Sequence, residues 1–335
     1  MTIDERIYAK FASQLMTITS EVGMATLDQA RYFGVDLAWG QRARTGLAVL
    51  DDAGRLLESA SVRTDDEIMA FVDRHNAVTL VAAFDAPLVV PNETGRRPCE
   101  ALVGQLFARF GAGAYPANRG NPCFLPEPRG ARLAAEMGWD MDPSTPPGIG
   151  RQACIEVYPH PAMVSLFPLD YVIPYKIKRG RGLPALKDAY EQLLNHLEGT
   201  CGDVLALADS ARWSILRSTA AGATRKSELD AIEDEIDAIF CAYLAWLWGT
   251  DQEQMVVLGD YATGYIVTPT PPPPTALHSR PVRRKPAQER IDAGVTSDDG
   301  SFGSSLGYPV CTPAAQMAQL EIVRPINGAE ETTNA

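Results

Sequence analysis

The spacing of apolar and polar positions changes several times along this chain, and each change marks a part of it. In residues 1–30 the apolar positions Ile7, Phe11, Leu15, Ile18 and Val22 recur at helical spacing, which predicts an N-terminal helical extension. From Tyr32 the period shortens. Apolar runs at 32–39, 45–50 and 56–62 read as strands, and Asp51-Asp52-Ala53-Gly54 supplies hairpin residues between the second and third. Residues 65–75 return to helical spacing, with Ile68, Phe71 and Val72 on one face and Thr64-Asp65 suited to the N-cap. A buried strand is expected at 79–87, bounded by Pro87, and a helix at 100–110 through Leu102, Val103, Leu106 and Phe110.

The stretch 111–150 is rich in glycine and proline and reads as a long irregular excursion. A strand is expected at 151–158, closed by Pro159, and helices at 183–197 and 206–216. The longest helical pattern, 227–248, carries Ile232, Ile236, Ile239, Phe240, Tyr243, Leu244 and Leu247 as an apolar stripe. Residues 255–267 fit one hairpin or edge strand. The prolines from Pro269 to Pro274 then end regular structure, because they lack amide donors. The organisation predicted is an extension at 1–30, a domain at 31–268 and a Pro-rich, mostly disordered tail at 269–335. That tail has a basic run, Arg280-Pro-Val-Arg283-Arg284-Lys285, and room for a short element at 314–323. The element order predicts an α/β fold with a mixed five-stranded sheet: a three-stranded antiparallel flank, a parallel remainder, and helices on both faces.

Composition adds limits. The 335 residues are 46% hydrophobic, enough for one large core or two small ones. No apolar run reaches the ~18 residues of a membrane span, and the acidic N-terminus is unlike a signal peptide, so a cytoplasmic protein with no membrane partner is expected. Six cysteines occur singly and four histidines are scattered, a pattern of reduced, buried thiols rather than a zinc site. A net charge of −12 argues against indiscriminate nucleic-acid binding. Metal ions can offset that charge locally, however, and Lys176-Ile-Lys178-Arg179-Gly-Arg181 is a basic strip.

The candidate chemistry lies in carboxylates among strand-forming residues. Asp36 ends one apolar run, Asp85 ends another, and Glu156 sits inside a third, while Asp234 and Asp237 stand three apart near the start of the long helix. Buried carboxylates are costly without partners, and hard divalent cations bound by oxygen are one class of partner. Each acid also has a plainer role. Asp36 and Asp85 suit turns, Glu156 suits an ion pair, and Asp234 and Asp237 suit the positive end of a helix dipole.

Taken together, Gly34-Val-Asp36-Leu-Ala-Trp-Gly, Ala83-Phe-Asp85-Ala-Pro-Leu, Gly95-Arg96-Arg97-Pro-Cys-Glu100, Glu156-Val-Tyr-Pro159, the 176–182 strip and Asp234-Glu-Ile-Asp237-Ala resemble domain of unknown function family 429 over about 33–269. That family is described as a predicted nuclease of the ribonuclease H-like superfamily. The resemblance implies Asp36, Asp85, Asp234 and Asp237 as ligands of Mg²⁺ or Mn²⁺, with Glu156 as a further catalytic acid or an organiser of Lys176 and Arg181. It also implies a DNA or RNA substrate whose phosphates meet Arg96, Arg97, Lys176, Lys178 and Arg181. In such a site two cations stabilise the attacking and leaving oxygens of a phosphodiester.

For each basic residue the plainer reading is a solvated one, Arg96 and Arg97 as helix-start residues and 176–181 as a solvated face. His160, beside Glu156, reads as structural. Two other functions share the pattern. An ATP-binding phosphotransferase or ATPase of the actin-like or sugar-kinase type begins with a similar Gly-x-Asp, but needs a duplicated domain and a Gly-Gly adenosine motif. Val257-Leu-Gly259-Asp-Tyr matches that motif poorly. The third is a ribonuclease H-like binding scaffold without catalysis.

Overall fold

The computed structural model describes residues 30–40, 43–167 and 169–273. The helical pattern of residues 1–29, the basic run at 280–285 and the element at 314–323 lie outside the described residues.

Two hairpins start the fold. Strands β1 (Ala30–Asp36), β2 (Thr45–Leu50) and β3 (Leu56–Val62) pair antiparallel in sequence order. The β2–β3 turn closes as its sequence suggests. Asp51 Oδ1 accepts from the Arg55 amide at 2.8 Å, and Gly54 takes a φ of 84°, which costs glycine little. Helix α1 (Asp65–Arg74) is capped by Thr64, whose side chain accepts from the Glu67 amide while Glu67 accepts back, a capping box. The chain then returns to β4 (Thr79–Phe84), parallel to β1, and later to β5 (Gln152–Glu156), parallel to β4. The sheet order is β3-β2-β1-β4-β5, a mixed five-stranded sheet with the antiparallel flank and parallel remainder expected.

Side-chain alternation divides the core between the two faces. Phe33, Val35, Leu47, Val49 and Phe84 pack with α1 and with α3 (Arg129–Met137). Tyr32, Ala48, Leu50, Val81 and Ala83 pack on the other face, against α5 (Leu183–Leu205), α6 (Ala211–Gly222) and α7 (Lys226–Thr250). Between the strands of the parallel half, α2 (Pro98–Phe107) packs on a two-stranded sheet of β6 (Met255–Asp260) and β7 (Gly264–Pro269), the hairpin read at 255–267.

Helix α7 comes unusually close to the sheet. A Cβ at Gly34 of β1 would lie 1.9 Å from the Ala238 carbonyl, and one at Gly46 of β2 would lie 1.8 Å from the Asp234 carbonyl. Both glycines let the helix backbone rest on the strands, and this sets the N-terminal half of α7 over the end of β1.

Two helices depart from the sequence reading. The stretch 111–150 is not wholly irregular, since α3 lies inside it, stopped by Gly138 at φ 69°. Pro159 closes β5 but also opens α4 (Pro159–Leu166), where prolines in the first turn lack only amides that a helix start leaves unbonded. Of the cysteines, Cys99, Cys154, Cys201 and Cys241 are buried free thiols, while Cys123 is exposed. Among the described residues no helix is long and apolar enough to cross a membrane.

Candidate metal centre

The parallel register places the strand acids. Val35 pairs with Phe84, so the next residues, Asp36 and Asp85, stand side by side at the carboxyl ends of adjacent strands and on the α7 face. Asp237 of α7 is fully buried and comes down onto them. Carboxylate oxygens of Asp36, Asp85 and Asp237 all lie within 4.8 Å of one another. Asp234 is outside this group, though close enough to add its field to Asp36 and Asp85.

Among the described residues, one cation enters the cluster. Lys176 Nζ lies 2.5 Å from Asp237 Oδ2, 3.3 Å from Glu233 Oε1 and 3.8 Å from Asp36 Oδ2. Tyr175 donates its hydroxyl to Asp237 Oδ1 at 2.7 Å. Arg181, half-buried, donates to the Lys176 carbonyl at 2.6 Å and so fixes the backbone that carries the lysine. Lys178 is exposed.

One ammonium does not balance the acids around it. Burial drives the Asp85 carboxyl up to about 7 against the pull of Lys176, with Asp237 adding to the rise. Burial likewise raises Asp36 well above the carboxylate range, Glu233 to about 7 and Asp234 to about 6. Burial opposes the charge of Lys176, but Asp237, Asp36 and Glu233 outweigh it and hold the ammonium well above its ordinary value. Asp36 Oδ2 is buried and accepts no hydrogen bond. An all-oxygen donor set with excess negative charge and an unsatisfied lone pair fits a hard divalent cation.

Glu156 belongs elsewhere. It is the last residue of β5, not its middle, and pairs with Phe84 rather than with Asp85. That one-residue offset turns it to the opposite face of the sheet. There Arg97 Nη1 and Nη2 donate to its two oxygens at 2.8 and 2.6 Å, and the Leu88 amide donates at 2.9 Å. Arg97 Nε donates to Glu100 Oε1 at 2.8 Å. Arg97 is 1% exposed, so the expectation of a solvated arginine is corrected at this position, whereas Arg96 is exposed. Burial raises Glu156 and Arg97 opposes that rise. Glu156 organises Arg97, and not Lys176 or Arg181. His160 is buried edge-on to Tyr175 at 5.8 Å, and burial lowers it to about 4, so it is a neutral packing residue.

Three contributors, Glu233, Tyr175 and Arg129, escaped the sequence reading, and a fourth, Arg97, was expected to meet phosphate rather than Glu156. Glu233 and Tyr175 meet the cluster as just described. Arg97 holds the segment after β4 through the Val89 carbonyl at 2.9 Å. Arg129 of α3, also buried, donates to the Ala38 carbonyl at 2.8 Å and to Asp65, tying down the segment that follows Asp36. Only Glu233 left a local sign, its i,i+4 spacing from Asp237.

Beside the triad is a cavity open to solvent, with Asp85 on its wall and Trp39, Tyr115 and Tyr158 around it.

No curated protein and no solved structure matches this chain. The model of one protein family, described as a protein of unknown function (DUF429), matches residues 34–262, which run from two positions before Asp36 to beyond α7. The match spans the strands and helix that bring the acids together, and on it the chain belongs to the DUF429 family.

Proposed function

We propose that this protein is a divalent-metal-dependent nuclease of the ribonuclease H-like kind, hydrolysing phosphodiester bonds in DNA or RNA. The observation that carries the reading is the Asp36–Asp85–Asp237 group, whose oxygens lie within 4.8 Å at the ends of two parallel strands and under one helix. The order β3-β2-β1-β4-β5 sets Asp36 on the central strand beside β4, with an antiparallel flank to one side, as the mixed sheet expected from the sequence would.

Asp36, Asp85 and Asp237 would hold Mg²⁺ or Mn²⁺, with Asp234 and Glu233 in supporting positions. The ion would supply Lewis-acid stabilisation of phosphate oxygens and a hydroxide at neutral pH. The chain's own residues do the rest. Tyr175 orients Asp237 through its hydroxyl, and α7, seated on Gly34 and Gly46, fixes the spacing of the acids. Lys176 holds its proton and presents positive charge where a phosphate would approach, while Arg181 keeps its backbone in place.

A second reading has its own observation. Lys176 lies inside the carboxylates and acts there as a built-in cation, which favours a binding scaffold without catalysis. Incubating labelled single-stranded, duplex and branched oligonucleotides with Mg²⁺ or Mn²⁺ separates the two. The nuclease reading expects cleavage that EDTA and Asp36→Asn both abolish. No cleavage of any substrate, together with no change in melting temperature on adding metal, would discard it.

A further inference from the structure

We infer that the cavity beside Asp85 is a stacking subsite for an unpaired base, so that the substrate is a single-stranded or locally opened nucleic acid. The inference rests on the nuclease reading and narrows its substrate. Three observations carry it.

The first is placement. Asp85 belongs both to the acidic triad and to the cavity wall, so a nucleotide whose phosphate lies at the triad has its base within reach of the cavity. The second is surface chemistry. Trp39 and Tyr115 are 41% and 70% exposed, and both line this one cavity. Their company includes Tyr158, Ala114 and Ile266, which offer flat and apolar surface. Trp39 is held ready, with its ring 5.0 Å from that of buried Phe124 and the preceding Ala38 carbonyl bound by Arg129.

The third is charge. Arg97 also lines the cavity, yet its guanidinium is consumed by Glu156, Glu100 and the Val89 carbonyl. With Asp85, Glu100 and Glu156 around it, the cavity repels a phosphate and accepts a neutral ring. Among the described lining residues Arg97 is the only cation, and aromatic walls of this kind suit a nucleobase, because every base has a face to stack and none carries charge at neutral pH. A paired base is hidden within its duplex and cannot enter.

The test uses the full chain with Ca²⁺ present and fluorescence anisotropy of short oligothymidylate, oligouridylate, an abasic strand of equal length, and blunt duplexes of both sugars. Trp39→Ala and Tyr115→Ala are compared with wild type after circular dichroism and melting have established that each is folded. The expected result is that at least one single strand binds tighter than the abasic strand and the duplexes. Each alanine variant should lose about tenfold of that preference, and Trp39→Phe should keep most of it. The inference is overturned if the abasic strand binds as well as the base-bearing ones, if both alanine variants bind as wild type, or if wild type binds no single strand. Mn²⁺-dependent cleavage that Asp36→Asn abolishes would leave the nuclease reading standing in any of those cases. Its absence from every substrate, together with no change in melting temperature on adding metal, would remove that reading by itself.

Discussion

Two groups of buried acids end neighbouring strands of one sheet, and they are treated in opposite ways. On one face Glu156 and Glu100 surround Arg97, and all four carboxylate oxygens accept hydrogen bonds from the guanidinium or from the amides of Leu88, Arg97 and Ala117. Across the sheet Asp36, Asp85 and Asp237 crowd together with one lysine, and Asp36 Oδ2 accepts no hydrogen bond. Helix α7 repeats the contrast within three residues. Glu235 is fully buried but receives Ser59 and two nitrogens of Arg212, whereas Asp237, two residues on and on the other side of the helix, points into the crowded cluster. A saturated ion pair holds structure together. An unsaturated cluster costs stability and marks a place where something else binds.

The sharpest way to break the comparison is to remove the cation from each group. Arg97→Met leaves Glu156 and Glu100 buried and unpaired, a loss of about 3–5 kcal/mol. Denaturant unfolding should show this, and Mn²⁺ should stabilise the variant by no more than it stabilises wild type. A larger metal-induced gain in the variant than in wild type would mean that the paired group also binds cations, and the distinction between the faces would fall.

Adding metal to the wild type should have the next largest effect. At free Mn²⁺ about 100-fold above its Kd, linkage gives about 2.7 kcal/mol of stabilisation. Asp36→Asn removes one repelling charge at constant shape, so the apo variant should melt slightly higher than apo wild type and gain little from metal. If instead the variant melts lower by the same margin with and without metal, Asp36 is an ordinary structural acid.

The acidic cluster and the Asp65 ion pair on the other face should also respond to pH, with opposite signs. In the folded cluster Asp85 keeps its proton up to about pH 7, against an unfolded value near 3.8. Between these values the folded state binds more protons, so its contribution is present below about pH 4 and is lost as pH rises towards 7. Glu233 and Asp234 act in the same direction. Asp65, on the paired face, behaves differently. Burial opposes its ionisation, but Arg132 and Arg129 outweigh burial and hold it below its usual range. Its contribution is therefore present above its unfolded value and lost as pH falls through the folded one. Apo protein melted between pH 4 and 8 should lose stability through the cluster's range as pH rises, and Asp36→Asn should flatten that slope. Asp65→Asn should remove stability at neutral pH and little at pH 3.

What the sequence disclosed follows the same division. Alternation and hairpin residues were enough to read three strands, then β4 and β5, because a strand half in the core must show its period. Asp36 and Asp85 stood out because each ends an apolar run. Glu156 stands apart, inside its run, and the sequence leaves its role open, because its face depends on register, which only the Phe84 pairing fixes. Its partner Arg97 is 59 residues away, and Arg129 is 91 residues from the carbonyl it holds, so no local pattern could join them. Helices α3 and α4 were missed for a simpler reason: they are short, and the Gly and Pro around them read as breakers although those residues cap and start them.

The smallest expected effect asks whether Lys176 is to the acidic cluster what Arg97 is to Glu156. Arg97 is held inside the core by four guanidinium hydrogen bonds, to Glu100, Glu156 and the Val89 carbonyl. Lys176 has one point charge on a flexible stem, and its position depends on Arg181 binding its carbonyl at 2.6 Å. Arg181→Ala removes that brace at a half-exposed site, so global stability should fall by no more than about 1 kcal/mol. A lysine that serves only as the cluster's counter-ion would follow the carboxylates after losing its brace, since their attraction places it. Metal-induced stabilisation and any cleavage would then match wild type. A lysine that also meets the substrate phosphate needs its backbone fixed. Cleavage by Arg181→Ala should then fall about tenfold while the metal-induced rise in melting temperature is unchanged. The expected outcome is this second one, read by single-turnover cleavage beside melting in Mn²⁺, and equal loss in both measurements would make Arg181 a brace for the whole cluster rather than for the lysine.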